Sequence, residues 1–372
     1  MKVLFISSWY PNSTNPLKGI FVKKHAQAIH SAGIEIEVLA LSVSYSKKLF
    51  EKKINSFEDG DGIKTHIIEL NSRFYKLIYI DLFLQFFFLK NYYYKKIKDD
   101  FKPDLIHSNV LFPAGILGYR LSKKEKLQHV ITEHWSKVDK FMSKSLYASK
   151  GKKAYNHAKK VTVVSNYLKK SIAKYFNDES KIEIVPNVVN TDLFFYRKKS
   201  PVPGVLIFTC VAHWSNPKRP DLIFNSLENL SKKINKNIIL NVVGEGNLLN
   251  ELKKLNWNYK INYHGNKNAQ DLSGLLQSSD YFLHASDIET FSIVIAEALS
   301  TGTPVLASNA GAIPELINGQ NGFVCNNTLE EWTEGLMKLI NKNDFEGKLI
   351  SEQMKKFNSE SIGNQFKILY RS

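Results

Sequence analysis

Short runs rich in β-branched and aliphatic residues recur along the chain, separated by stretches of helix length that mix apolar and polar positions. Residues 3–6, 36–41, 105–107, 130–132, 161–164 and 182–185 make one set, and residues 205–211, 238–243, 281–283 and 305–307 make a second. Their alternation with helical segments predicts an α/β architecture with mostly parallel sheets. Between the two sets stands Arg197-Lys198-Lys199-Ser200-Pro201-Val202-Pro203-Gly204, whose charges, prolines and glycine mark a break between domains. The pattern divides the chain into a first domain at 1–190, a linker at 191–204, a second domain at 205–354 and a closing segment at 355–372.

Two segments stand out from this alternation. Residues 293–299 are apolar on every side except at Glu297, and their length and Ala/Leu content predict a buried helix. A carboxylate there needs a hydrogen-bonding or charged partner. With the helix starting at Thr290 to Ser292, Glu289 falls in the loop just ahead, where unpaired backbone N–H groups and the positive end of the helix dipole gather. A loop carboxylate, a patch of backbone donors and a helix carboxylate further in suit a ligand carrying several hydroxyls and an anionic group. The other segment, residues 74–94, is dense in Phe, Tyr and Leu, with Asp81 and Gln85 interrupting it. Its apolar stretch falls short of the ~20 residues a spanning helix needs, which leaves a core helix or an interfacial helix with aromatic and lysine anchors.

Composition narrows the class. With 372 residues, 43% hydrophobic and 23% charged, the chain can bury the cores of two domains. Two cysteines, Cys210 and Cys325, lie far apart in apolar contexts and read as reduced core residues. The apolar run at 3–6 is too short for a signal peptide, so a cytoplasmic protein is expected. A formal net charge of +16 calls for an anionic partner or surface. No helix-turn-helix, zinc-finger or RNP-type pattern is present, so nucleic acid is not the expected partner. Lysines cluster in the first half, at Lys47-Lys48, Lys95-Lys96 with Lys98, and Lys150 with Lys152-Lys153 among other places, near the aromatic segment. That juxtaposition predicts peripheral association with the inner face of an anionic membrane.

The flanks of the two glutamates carry a resemblance. After Glu297 come Gly302-Thr303-Pro304-Val305-Leu306-Ala307-Ser308 and Gly311-Ala312-Ile313-Pro314-Glu315-Leu316, a turn, a short buried strand and a glycine-led helix start. At these residues the chain resembles the retaining glycosyltransferases of family four, whose GT-B fold implies two Rossmann-like domains with parallel sheets facing an interdomain cleft. Ser7-Ser8-Trp9-Tyr10-Pro11 followed by Gly19-Ile20-Phe21-Val22 resembles the family's opening strand and glycine loop, where a Cβ at Gly19 would hold a donor phosphate away. His134, in Val130-Ile131-Thr132-Glu133-His134-Trp135, stands where the family has a histidine beside the transferred sugar, whereas His107 reads as structural. Residues 362–370 resemble the last helix, which in this family crosses back onto the first domain.

In the second domain, Val211-Ala212-His213-Trp214-Ser215-Asn216-Pro217-Lys218-Arg219-Pro220 resembles the loop that supplies an Arg and a Lys to the diphosphate. His213 occupies the arginine position, Lys218 matches the lysine, and Arg219 beside it is a candidate to compensate. Val243-Gly244-Glu245-Gly246-Asn247 ends a strand in a glycine turn near where the base is expected. The resemblance implies hexosyl transfer from a nucleotide-diphosphate sugar to a glycan or lipid-linked acceptor, with retention, in cell-surface polysaccharide synthesis. Lys218, Arg219, the Gly19 loop and the N–H groups of Thr290, Phe291, Ser292 and Ile293 are then the expected phosphate donors, Glu297 the ribose ligand, and Glu289 and His134 the groups at the sugar. No cofactor or metal is expected, because Asp59-Gly60-Asp61-Gly62, although it contains Asp-x-Asp, reads as a hairpin turn. The rival reading is a sugar-nucleotide epimerase of the same two-domain architecture. A NAD enzyme would need Gly-x-Gly-x-x-Gly after the first strand, which Ser7-Ser8-Trp9-Tyr10-Pro11 is not.

Overall fold

The computed structural model describes residues 1–12, 15–45, 51–72 and 77–372. Lys47, Lys48 and the opening Phe74, Tyr75 and Lys76 of the aromatic segment lie outside the described residues. The chain forms two compact units, Met1–Val188 with Ser359–Ser372, and Val189–Asn358.

The first unit holds β1 (Lys2–Ser7), β2 (Glu35–Tyr45), β3 (Glu51–Glu58), β4 (Lys64–Ser72), β5 (Leu105–Asn109), β6 (Gln128–Glu133), β7 (Lys160–Val163) and β8 (Ile182–Ile184). They lie in the order β3-β4-β2-β1-β5-β6-β7-β8, parallel throughout except for the antiparallel β3–β4 hairpin. The central strands are buried over most of their length, and β5 at every residue, because helices cover both faces. The second unit holds β9 (Val205–Val211), β10 (Asn237–Val243), β11 (Lys260–Gly265), β12 (Tyr281–His284), β13 (Val305–Ser308) and β14 (Gly322–Cys325), all parallel in the order β11-β10-β9-β12-β13-β14. In each sheet the strand order reverses once, between β1 and β5 and between β9 and β12. Open α/β sheets bind ligands beyond the carboxyl ends of the strands at such a reversal.

Each of the ten β-rich runs in the two sets became a strand. The strands the pattern missed are β3, exposed at all its residues, and β4, β11 and β14. Three of the four, β3, β11 and β14, are edge strands, where continuous apolar character is not required, and β4 lies beside the edge strand β3. The Asp59 turn closes the β3–β4 hairpin: Asp59 Oδ1 accepts the N–H groups of Asp61 and Ile63, both at 3.1 Å, and Oδ2 lies 3.4 Å from Lys23 Nζ. Cys210 and Cys325 are free and buried.

Residues 191–204 lie within the second unit along the helix Ala269–Ser278, where Ser273 Oγ donates to the Leu193 carbonyl at 2.7 Å and Gln277 Nε2 to the Phe195 carbonyl at 3.0 Å. Phe194 is buried there. The closing helix Ser359–Arg371 belongs to the first unit and packs on the helix Ile20–Ser31, with Lys367 Nζ donating to the Ala32 carbonyl at 2.8 Å. The aromatic segment forms the helix Ile78–Lys96, which buries Leu82, Leu89 and Tyr93 and exposes Tyr79, Ile80, Phe83 and Phe87. Among the described residues, no helix is long and apolar enough to cross a membrane.

Candidate active site

In the second unit the loops after β9 and β12, on either side of the reversal, meet. The β9 loop is held against the β12 loop by a bridge between Lys218 and Ser286, and by the Arg219 N–H donating to the Ala285 carbonyl at 3.1 Å. This brings Lys218 Nζ onto Glu289 Oε1, and His284 Nε2 onto the same oxygen at 2.9 Å. Ser292 Oγ is 3.4 Å from His284 Nε2. Burial raises the Glu289 carboxyl, but the His284 hydrogen bond and the Lys218 charge outweigh it and hold the pKa at about 2, so the group is ionised at any working pH. Burial, aided by Lys218, holds the His284 ring below its usual value. The ring is therefore neutral near pH 7, and its Nε2–H is the proton donated to Glu289. The cluster is a lysine whose charge is balanced by a carboxylate that a neutral histidine orients.

The helix behind this cluster runs Ile293–Ser300, starting up to three residues later than the sequence pattern placed it. The delay has a backbone cause: Ser292 sits in the left-handed region, φ 68 and ψ 80, and helical dihedrals begin only after it. A non-glycine residue held there costs about 1 to 3 kcal/mol and persists only where its surroundings enforce it. Ser292 gives no side-chain cap. The first amides of the helix therefore lack an intrahelical acceptor and point toward the Lys218–Glu289 pair's end of the helix, an arrangement that favours an anion. Phe291 is buried and Thr290 half-buried in the approach to it. Glu297 lies about one turn further in and is buried.

Arg219 does not join this cluster. Its guanidinium is held by Asp221, with Nη2 2.7 Å from Oδ2, and by Asp287, with Nη1 3.5 Å from Oδ1, although Lys218 is its neighbour. Consecutive residues on this loop thus reach different partners, Lys218 the Glu289 carboxylate and Arg219 the carboxylates of Asp221 and Asp287. His213 is exposed on the β9 loop. Gly244 and Gly246 follow β10, and a Cβ on Gly246 would lie 2.1 Å from the Trp214 carbonyl oxygen, so the two loops touch only because a glycine is there.

Gly19 and His134 belong to the first unit. Gly19 has φ 65, and a Cβ would meet the Trp9 carbonyl oxygen at 2.1 Å, so chain packing by itself already excludes any side chain there. Gly19 opens the helix Ile20–Ser31, which places the Phe21 ring 4.8 Å from the His134 ring. His134 is fixed from behind by Glu133, whose carboxylate accepts the N–H groups of Leu111, His134 and Trp135 at 2.9 Å and the Tyr155 hydroxyl at 3.0 Å. Its Nε2 lies 3.3 Å from Asn109 Oδ1. Burial, with His25 and His107 nearby, holds the ring well below its usual pKa and therefore neutral. Asn109 Nδ2 and Ser8 Oγ, at the ends of β5 and β1, are buried without a partner among the described residues, a state that a hydroxylated ligand would relieve. Beside Asn109, Val110 has φ 67, a second strained residue at the strand ends. His107 bonds Tyr370 and Thr132, both at 2.6 Å, and is structural as expected.

His284, Asn109 and Glu133 went unread in the sequence. Each is a polar residue at the end of a strand, and only the fold shows what it faces. Among the described residues, no group of three or more His, Cys, Asp or Glu side chains is arranged to hold a metal ion.

The family model described as Glycosyl transferases group 1 matches residues 194–357, and Glycosyltransferase Family 4 matches residues 19–193. Among curated relatives, an uncharacterized glycosyltransferase of Methanocaldococcus jannaschii is 24% identical over 267 residues, spanning 69% of this chain and 71% of the relative. Sucrose-phosphate synthase from Thermosynechococcus elongatus superposes with a TM-score of 0.77 at 18% identity over 100% of this chain and 98% of that one. Anabaena HepE in complex with UDP does so with 0.71 at 17% identity over 100% of both chains. At these identities the solved structures speak to the shared fold.

Proposed function

The chain belongs to the glycosyltransferases of GT-B fold, and from that premise we propose that it moves a sugar from a nucleotide-diphosphate sugar to a glycan or lipid-linked acceptor, with retention of anomeric configuration, in cell-surface polysaccharide synthesis. Both matched models describe glycosyl transfer, which leaves the epimerase reading without support. The observation that carries the proposal is the Lys218–Glu289–His284 cluster at the start of the helix Ile293–Ser300, on the reversal of the second sheet. The Anabaena neighbour was solved in complex with UDP, which supports a nucleotide-sugar donor.

In this reading the bond between the anomeric carbon and the phosphate oxygen breaks, with its electron pair leaving on the diphosphate. The acceptor oxygen bonds the same face of the sugar, and its proton passes to the departing phosphate. Negative charge thus grows on the diphosphate and positive charge on the ring, so fixed donors at the phosphate lower the barrier most. Lys218 and the amides at Ser292 and Ile293 fill that role. Lys218 has three N–H donors and can keep Glu289 while it binds phosphate. Glu289 and His134 hold sugar hydroxyls, the histidine as a neutral ring, and Glu297 accepts from the ribose hydroxyls.

Incubation with UDP-, GDP- and ADP-sugars and candidate acceptors, read by mass spectrometry, tests the reading. Release of one nucleoside diphosphate with a product heavier by one sugar residue is expected; an isomerised donor with no diphosphate released would overturn it. Glu297→Ala is expected to weaken donor affinity about ten- to a hundredfold while thermal unfolding stays near that of the native chain, since a hydrogen bond to a charged group contributes about 1.5 to 3 kcal/mol. Unchanged donor affinity on titration would remove the ribose assignment. Turnover is expected to persist in EDTA, because side-chain and backbone donors carry the diphosphate here. Loss restored by Mg²⁺ or Mn²⁺ would bring Asp59 and Asp61 into the site.

A further inference from the structure

The helix Ile78–Lys96 buries one apolar face and leaves a second uncovered. Tyr79, Phe83 and Phe87 follow one another at four-residue spacing on a single stripe, 53%, 59% and 42% exposed, with Ile80 beside them at 43%. Apolar residues scattered singly over a surface need no explanation, whereas a contiguous aromatic patch marks a place where something docks. The stripe borders a groove of about 710 Å³ that Tyr79, Phe83, Tyr119, Arg120, Lys150 and Lys153 help to line. The three cations come from two other helices, Arg120 from Ile116–Glu125 and the lysines from Ser145–His157. Lys150 Nζ lies 4.7 Å from the centre of the Tyr79 ring, and the Arg120 guanidinium 4.2 Å from that of Phe86, so charge sits directly against the aromatic edge. Among the described residues none of the three cations forms an ion pair with a carboxylate.

We infer that this face docks the protein on an anionic lipid bilayer, with headgroup phosphates at Arg120, Lys150 and Lys153 and the rings of Tyr79, Phe83 and Phe87 in the interfacial layer. Aromatic rings favour that layer, and an aromatic stripe rimmed by cations combines the two attractions that hold an interfacial helix. An acidic peptide in the groove would meet the cations but leave Ile80 and Phe87 uncovered, whereas a lipid surface covers both. The lysines adjacent to the aromatic segment in sequence are not the anchors. Lys95 and Lys96 stand about 24 Å along the helix from Tyr79, and Lys98 is paired with Glu125 at 2.8 Å.

Sedimentation of the full chain with vesicles tests this without any turnover. Binding is expected to vesicles of phosphatidylcholine with phosphatidylglycerol, to be absent with phosphatidylcholine alone, and to fade as salt shortens the reach of the charges. Lys150→Gln with Lys153→Gln should lower the partition about twenty-fivefold, at about fivefold per cation near an anionic surface. Tyr79→Ser with Phe83→Ser should lower it about tenfold, and Lys95→Gln with Lys96→Gln should leave it near the native value. Thermal unfolding that matches the native chain keeps a lost interaction from being a folding failure. Equal recovery in the supernatant with and without anionic lipid at low salt would overturn the inference, as would a Lys95/Lys96 variant that loses as much binding as the Lys150/Lys153 variant.

Discussion

Lys218→Ala is expected to lower turnover about a hundred- to a thousandfold, the range found when one preorganised donor to a developing anion is removed. Arg219→Ala should lower it less than about fivefold, since an ion pair open to solvent contributes little. The contrast follows from where the two neighbours go: Lys218 reaches Glu289 at the foot of the helix Ile293–Ser300, while Arg219 is bound to Asp221 and Asp287. Removing Lys218 also strips Glu289 of its counter-charge, which is why the double variant Lys218→Ala/Glu289→Gln belongs in the same series. If the loss came only from an unbalanced carboxylate, the double variant would turn over as fast as Glu289→Gln alone; if it comes from a missing phosphate donor, the double variant falls well below Glu289→Gln. Initial rates at saturating donor decide between these outcomes, and a larger loss for Arg219→Ala than for Lys218→Ala would refute the assignment.

Mild acid is expected to destabilise the first unit by a few kcal/mol between pH 7 and pH 5.5. His25, His107, His129 and His134 are all buried there, and burial is the main cause that holds each below its usual pKa, His25 at about 4 and His129 at about 3. Once unfolded, each ring takes up a proton near pH 6.5. As the pH falls below that value the unfolded chain therefore binds protons that the folded chain refuses, and each histidine removes about 1.4 kcal/mol of stability per pH unit. The window lies above the titration of ordinary carboxylates, and the buried Glu133 carboxyl, which burial raises, offsets part of the loss by taking up a proton in the folded state. Because the chain has two units, amide exchange in β1, β5 and β6 is a better reporter than one global melting curve. Protection unchanged from pH 7 to pH 5.5 would contradict the prediction.

The sheet cores were legible in the sequence because strands covered on both faces must be apolar throughout, and residues 3–6 or 205–211 satisfy that almost residue for residue. Edge strands such as β3 obey no such demand and left no pattern. The Glu289 and Glu297 pair was visible because a carboxylate in an apolar helix is costly and conspicuous. Partners were another matter. Nothing in Lys218-Arg219 says that one reaches Glu289 and the other Asp221, because that choice is made by the bridge to Ser286 and the fold of the β12 loop. His284 and Asn109 are polar residues at strand ends, indistinguishable in sequence from satisfied core residues. Likewise the reason for Gly19, a backbone approach from Trp9, depends on contacts made ten residues away.

The central claim is that the second unit binds a nucleoside diphosphate at the Lys218–Glu289 end of the helix Ile293–Ser300. Calorimetric titration of the full chain with UDP, GDP and ADP in the presence of EDTA tests it most directly. Saturable binding of at least one of the three, weakened in both Lys218→Ala and Glu297→Ala but retained in Arg219→Ala, is the predicted result. Binding of none of them, or binding indifferent to Lys218 and Glu297, would contradict it.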